Sequence, residues 1–181
     1  MANVAVIYHS GYGHNQRVAQ FVLEGVKTAA TAHEVVIDAE GNVSDADWAV
    51  LDAADAIVFG SPTYMGMASW QFKKFADASS KRWFTQGWKD KIAGGFTISA
   101  SPSGDKFSTL RYFFTLAMQH GMIWVSQTVP NDGTLNRLGS YGGLMAQVGP
   151  TSPPADIPQG DLDTARAYGQ RIAEFAHKVK G

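Results

Sequence analysis

Cysteine is missing from all 181 residues. Its absence excludes disulfides, thiolate nucleophiles, zinc knuckles and cysteine-held iron–sulfur clusters together. Any redox chemistry must therefore come from a bound cofactor. Charge is sparse and nearly balanced: 15 Lys and Arg against 16 Asp and Glu leave a net charge of −1, with 17% of residues charged. The Lys and Arg are dispersed, so the clustered basic footprint of a nucleic-acid surface is absent. No apolar run approaches the ~20 residues of a membrane span. The opening Met1-Ala2-Asn3 leads straight into a strand without the basic and apolar regions of a signal peptide. A cytoplasmic protein with no membrane or nucleic-acid partner is expected. The five histidines, His9, His14, His33, His120 and His177, are scattered with no i, i+4 pair, and no metal site is expected.

What is present is an alternation of Val- and Ile-rich runs with stretches of helical period, the signature of repeated βαβ units. Strands are predicted at 3–9, 34–37, 56–59, 91–99 and 122–128. Helices are predicted at 14–30, 45–53 (short), 69–79 with Ser69 as N-cap, 107–120 ending at Gly121, and 162–178. Residues 129–159 hold glycines at 133, 139, 142, 143 and 149 and prolines at 130, 150, 153, 154 and 158. They read as one long functional or interface loop. The expected fold is a single-domain, doubly wound α/β protein: a five-stranded parallel sheet in order 2-1-3-4-5, flavodoxin-like.

In that topology the switch point lies between strands one and three, and ligands bind beyond the carboxyl ends of the strands. Two glycine-containing loops fall there. The first reads Ser10-Gly11-Tyr12-Gly13-His14-Asn15 and opens a helix, so its backbone N–H groups can hold a phosphate without a lysine. An ordinary tight strand-to-helix turn is the other reading of it. The Walker pattern is absent, and Gln16 occupies the third glycine position of the dinucleotide pattern. The second loop, Gly60-Ser61-Pro62-Thr63-Tyr64-Met65-Gly66, can turn sharply at Gly66 and offers Tyr64 and Met65 as soft surface for a planar ring. A third, Ser99-Ala100-Ser101-Pro102-Ser103-Gly104, has small hydroxyls suited to the polar edge of a flavin, or to a solvated turn. Flavin mononucleotide (FMN) needs this combination of phosphate loop and ring slot.

These motifs carry a family resemblance. Tyr8 through His14, Phe59-Gly60-Ser61-Pro62-Thr63 with Gly66, Lys91-Ile92-Ala93 with Phe96, and His120-Gly121-Met122 resemble the flavodoxin-like NAD(P)H:quinone oxidoreductases, the tryptophan-repressor-binding-protein family. The likeness extends over most of the chain. It implies that Ser10 to Asn15 hold the FMN phosphate, Pro62 to Gly66 flank the isoalloxazine, and Ser99 to Gly104 bind its pyrimidine side. It further implies that Tyr12 lies near the NADH or NADPH donor, that Trp83 lines the quinone pocket, and that His120 acts catalytically at the flavin of a neighbouring subunit. The expected assembly is a homotetramer or homodimer. Read on its own, His120 is also a plain helix C-terminal cap.

Three departures stand out. Tyr64 replaces the arginine usual after the proline-threonine pair, the glycine-rich third loop becomes Ser101-Pro102-Ser103-Gly104-Asp105-Lys106, and the connection between strands two and three is shorter. Two alternatives to the reductase stay open: a one-electron flavodoxin-type carrier, against which the near-neutral charge speaks, and an FMN-binding regulatory protein with little turnover.

Overall fold

Alternating side chains in the first strand divide the interior in two. In the computed structural model, which describes residues 1–180, β1 (Asn3–Tyr8) sends Val4, Val6 and Tyr8 to one face and Ala5 and Ile7 to the other. The first face packs on α1 (His14–Val26) and α6 (Gln159–Lys180); the second packs on α2 (Asp45–Ala53), α3 (Trp70–Ala78) and α5 (Lys106–Gln119). A sheet buried on both faces explains the near-continuous apolar strands. No described helix is long and apolar enough to cross a membrane.

The sheet runs β2 (Thr31–Val36), β1, β3 (Ala56–Tyr64), β5 (Ile92–Ser99), β6 (Ile123–Trp124), all parallel, which is the expected order. Seven strands are present where five were expected. One addition, β4 (Met67–Ala68), pairs antiparallel with the end of β3. The other comes from the edge position, which is shared by two short pieces. Strand β6 pairs with the start of β5, and β7 (Leu144–Gln147) pairs with Phe96 to Ser99 farther along. The predicted strand 122–128 is thus interrupted, and the predicted loop 129–159 contains a strand. Gln127 and Asn136 cause the detour by bonding the backbone across it: Gln127 Nε2 to Ser140 O and Asn136 Nδ2 to Val129 O.

Other boundaries shift for local reasons. Helix α1 ends at Val26 because the Thr28 hydroxyl takes the Gly25 carbonyl at 2.7 Å. Strand β3 continues to Tyr64 because Gly60, Ser61 and Pro62 pair with Phe96, Thr97 and Ile98. A short helix, α4 (Ser80–Phe84), follows α3. Ser69 caps α3 as expected, accepting from Phe72 N–H, and Gly121 takes φ +69° after α5. Where α1 crosses α6, Gly25 and Gly169 leave no room for a Cβ, which would fall within 2.1 Å of the opposing backbone.

Candidate functional site

Three strand-to-helix connections and the chain after β7 enclose a cleft at the carboxyl ends of β1, β3 and β5. It offers about 620 Å³ of open space continuous with solvent. Ser10, Gly11, Tyr12, His14 and Asn15 line it from the first loop, and Pro62, Thr63 and Tyr64 from the second. Ser99 and Ala100 come from the third. Ile98, Val148, Gly149 and Pro150 complete the wall and were not anticipated. The last three were hidden because the chain returns to the site through the unforeseen strand β7.

The first corner is built to donate. Gly13 precedes α1 at φ +82°, and no side chain caps the helix. The amide N–H groups of His14 and Asn15 have no acceptor among the described residues. Ser10 Oγ accepts from Gln16 N–H at 3.0 Å, leaving its own proton free for a ligand. Asn15 is buried and donates to His9 O at 2.9 Å, while its Oδ1 has no partner. Among the described residues no cation neutralises the corner from within: Arg17, in the first turn of α1, lies over the Phe21 ring. Open amides at a helix N-terminus favour a phosphate dianion. Gly13 shapes this turn but does not line the cleft.

Behind the loops, buried hydroxyls hold the strand ends in register. Ser69 Oγ bridges His9 Nδ1 at 2.9 Å and Ser61 Oγ at 3.1 Å, which ties the end of β1 to that of β3. Burial pushes His9 below its ordinary range, so the pair is a neutral hydrogen bond. Thr63 Oγ1 lies 2.7 Å from Thr97 and 2.8 Å from Thr109, joining β3, β5 and α5. His14 Nε2 reaches Ser152 O at 2.7 Å and draws the chain after β7 over the cleft.

The second loop is a β-hairpin. Met65 and Gly66 sit at φ +47° and +80° between β3 and β4, the positive pair that a two-residue turn requires. Both project beyond the cleft, and Met65 is fully exposed. Tyr64, in the place of the family's arginine, folds back so that its hydroxyl crowds Gly11 and its ring meets Tyr12 edge-on at 6.1 Å. Pro62, Tyr64, Ile98, Val148 and Pro150 give the cleft an apolar wall.

The third loop departs most from expectation. Only Ser99 and Ala100 line the cleft; Ser101, Pro102, Ser103 and Gly104 do not. The Ser99 hydroxyl faces inward, where it donates to Ser101 O and accepts from Lys106. Lys106, which sequence gave no reason to single out, is fully buried beneath this loop.

His120 and Trp83 lie elsewhere. Helix α5 runs back from the cleft, so His120 sits at the amino end of the sheet, beside a second cavity lined by Trp83, Phe84, Met118 and Lys89. Its Nε2 bonds Ser79 Oγ at 2.8 Å, its ring lies 4.5 Å from Trp88, and Nδ1 has no partner. Burial pushes it down to about 4. Within one chain, therefore, neither residue reaches the cleft.

A parallel α/β sheet with an open helix N-terminus and an apolar-walled cleft at its switch point defines a flavodoxin-like nucleotide-cofactor protein. The residues fit FMN: free N–H donors for its phosphate, apolar walls for its ring. Comparison with known proteins agrees. A family described as NADPH-dependent FMN reductase matches residues 48–134. The chain is similar to flavodoxin FldP of Pseudomonas aeruginosa, 46% identical over 99% of each chain. It is 32% identical to an NAD(P)H dehydrogenase (quinone) of Chromohalobacter salexigens over the full length of both. The crystal structure of a flavodoxin, WrbA-like protein from Agrobacterium tumefaciens superposes with TM-score 0.83 at 52% identity, covering 98% of this chain and 99% of that one. The chain belongs to the flavodoxin-like, FMN-dependent NAD(P)H:quinone oxidoreductase family, the tryptophan-repressor-binding-protein family.

Proposed function

We propose that this protein transfers two electrons from NADH or NADPH to quinones through FMN bound in the carboxyl-end cleft. The observation that carries the reading is the pairing of uncapped α1 amides with an apolar wall on one cleft. Bound FMN supplies the hydride chemistry. Ser10 and the amides of residues 12–15 bind its phosphate. Pro62, Thr63 and Tyr64 flank the ring, with Met65 and Gly66 fixing the turn beyond. The backbone at Ser99 and Ala100 meets the pyrimidine side, with residues 101–104 shaping the loop behind it. Tyr12 touches the nicotinamide donor, a role that its 77% exposure at the rim supports. Trp83 and His120 take part through a second copy of the chain, in a homodimer or homotetramer, where the cavity at the amino end of one sheet faces the cleft of another.

A specific observation favours a second reading. The 46% identical relative is named a flavodoxin, which suits a one-electron carrier. Against it, a net charge of −1 gives little long-range steering toward a redox partner. Anaerobic titration of the FMN-loaded protein with NADPH, then NADH, separates the two. Direct bleaching without a long-wavelength radical band supports the reductase. No bleaching by either nucleotide, with a radical band under a chemical reductant, supports the carrier.

A further inference from the structure

Lys106 opens α5, yet its side chain is fully buried. Burying an ammonium is costly unless each proton finds an acceptor. Here all three do: Ser99 Oγ at 2.9 Å, Ser101 O at 2.7 Å and Pro102 O at 2.9 Å. Gly104 and Asp105, at φ +54° and +52°, curl the backbone so that the loop wraps this one charge. Behind it lies a second buried group. Asp161 of α6 accepts from Arg137 at 2.8 Å and from Gln147 N–H at 2.9 Å. Gln147 Nε2 in turn donates to Ala100 O at 2.8 Å. Two devices from α5, α6, β7 and the 129–143 excursion thus converge on a loop whose Ser99 and Ala100 line the cofactor cleft.

We propose that Lys106 is a positioning residue that holds the 99–102 backbone in the shape that receives FMN, without itself touching the cleft. The inference rests on assigning the cleft to FMN. The charged groups facing Lys106 are Asp161, which favours its protonated form, and Arg137, which opposes it. Asp105 turns its carboxylate toward Gly66 instead. Burial outweighs the attraction and lowers Lys106 to about 8. A neutral amine keeps only two of the three donors, so the clamp loosens as pH rises through that value.

The test is FMN titration of the apoprotein, followed by fluorescence quenching from pH 7 to 9. The wild type is expected to bind about tenfold more weakly at pH 9 than at pH 7. Lys106→Met, close in length but without donors, is expected to bind about tenfold more weakly already at pH 7 and to lose the pH dependence. Hydrogen exchange of the apoprotein adds a readout free of cofactor: amides of residues 99–104 should exchange faster in the variant at pH 7, and those of β1 should not. If the variant fails to fold, the wild-type pH profile decides. Tight FMN binding that is flat from pH 7 to 9, or equal in the two proteins, overturns the clamp and leaves the cofactor assignment intact. No FMN binding by the wild type overturns both.

Discussion

The two ends of the sheet differ in what their polar groups face. At the amino end, most polar groups bond one another, His120 Nδ1 excepted: Lys91 Nζ donates to the carbonyls of Leu51, Asp52 and Ala54, and Asp52 accepts from Trp88 and Arg82. Arg82 lies over Trp48, and His120 packs on Trp88. At the carboxyl end, α1 begins without a side-chain cap and Asn15 Oδ1 has no partner; left-handed turns occur at both ends, at Gly13, Met65, Gly66, Gly104 and Asp105 here and at Gln86, Asp90 and Gly121 at the other. The amino end chiefly ties elements together, and the carboxyl end also keeps open backbone amides for a ligand. Binding sites are where unsatisfied donors and strained backbone are expected to collect.

Damage to the two ends should separate stability from binding. The largest effect is expected from Trp88→Ala, which empties a fully buried aromatic site against Trp48, Phe75 and His120. Urea unfolding should show a loss of about 4 kcal/mol, with FMN affinity of the folded fraction unchanged. Ser10→Asp works the other way. A carboxylate keeps the bond to Gln16 N–H but repels the phosphate, so FMN binding by calorimetry should weaken about 100-fold, near ~2.7 kcal/mol, with the melting temperature preserved.

His120 sharpens the contrast through pH. Its folded-state value is about 4, against 6.5 unfolded, so between these the unfolded chain takes up a proton that the folded chain refuses. Its stabilisation is complete above pH 6.5 and is lost as pH falls toward 4, up to about 3 kcal/mol. Comparing wild type with His120→Gln by urea midpoints at pH 7.5 and 5 should show the wild type losing more. The smallest effect is a gain. Met65→Asn places a residue tolerant of positive φ at the first position of the Met65-Gly66 turn, and thermal unfolding should report about 0.5–1 kcal/mol of added stability.

The same contrast explains what was legible in the sequence. The first loop declares itself because its glycines, hydroxyl and amide are contiguous, and strand order follows from the βαβ rhythm. Strand β7 was hidden in a glycine- and proline-rich stretch, since four residues, Leu144–Gln147, are too few to show a period. The third loop could not be read from its own residues. Its shape is set by Lys106, Gln147 and, through Gln147, Asp161, and a lone lysine at a helix start reads as a solvated charge. Met65 at φ +47° was likewise unforeseeable, because turn chemistry pointed to Gly66 alone.

The account turns on the open amides of α1 holding a phosphate. Titrating the apoprotein with FMN and, separately, with riboflavin under identical conditions measures that corner directly. Binding of FMN at least 100-fold tighter than riboflavin is the predicted result. Equal affinity for the two would contradict it, since the ring slot alone would then account for all of the binding.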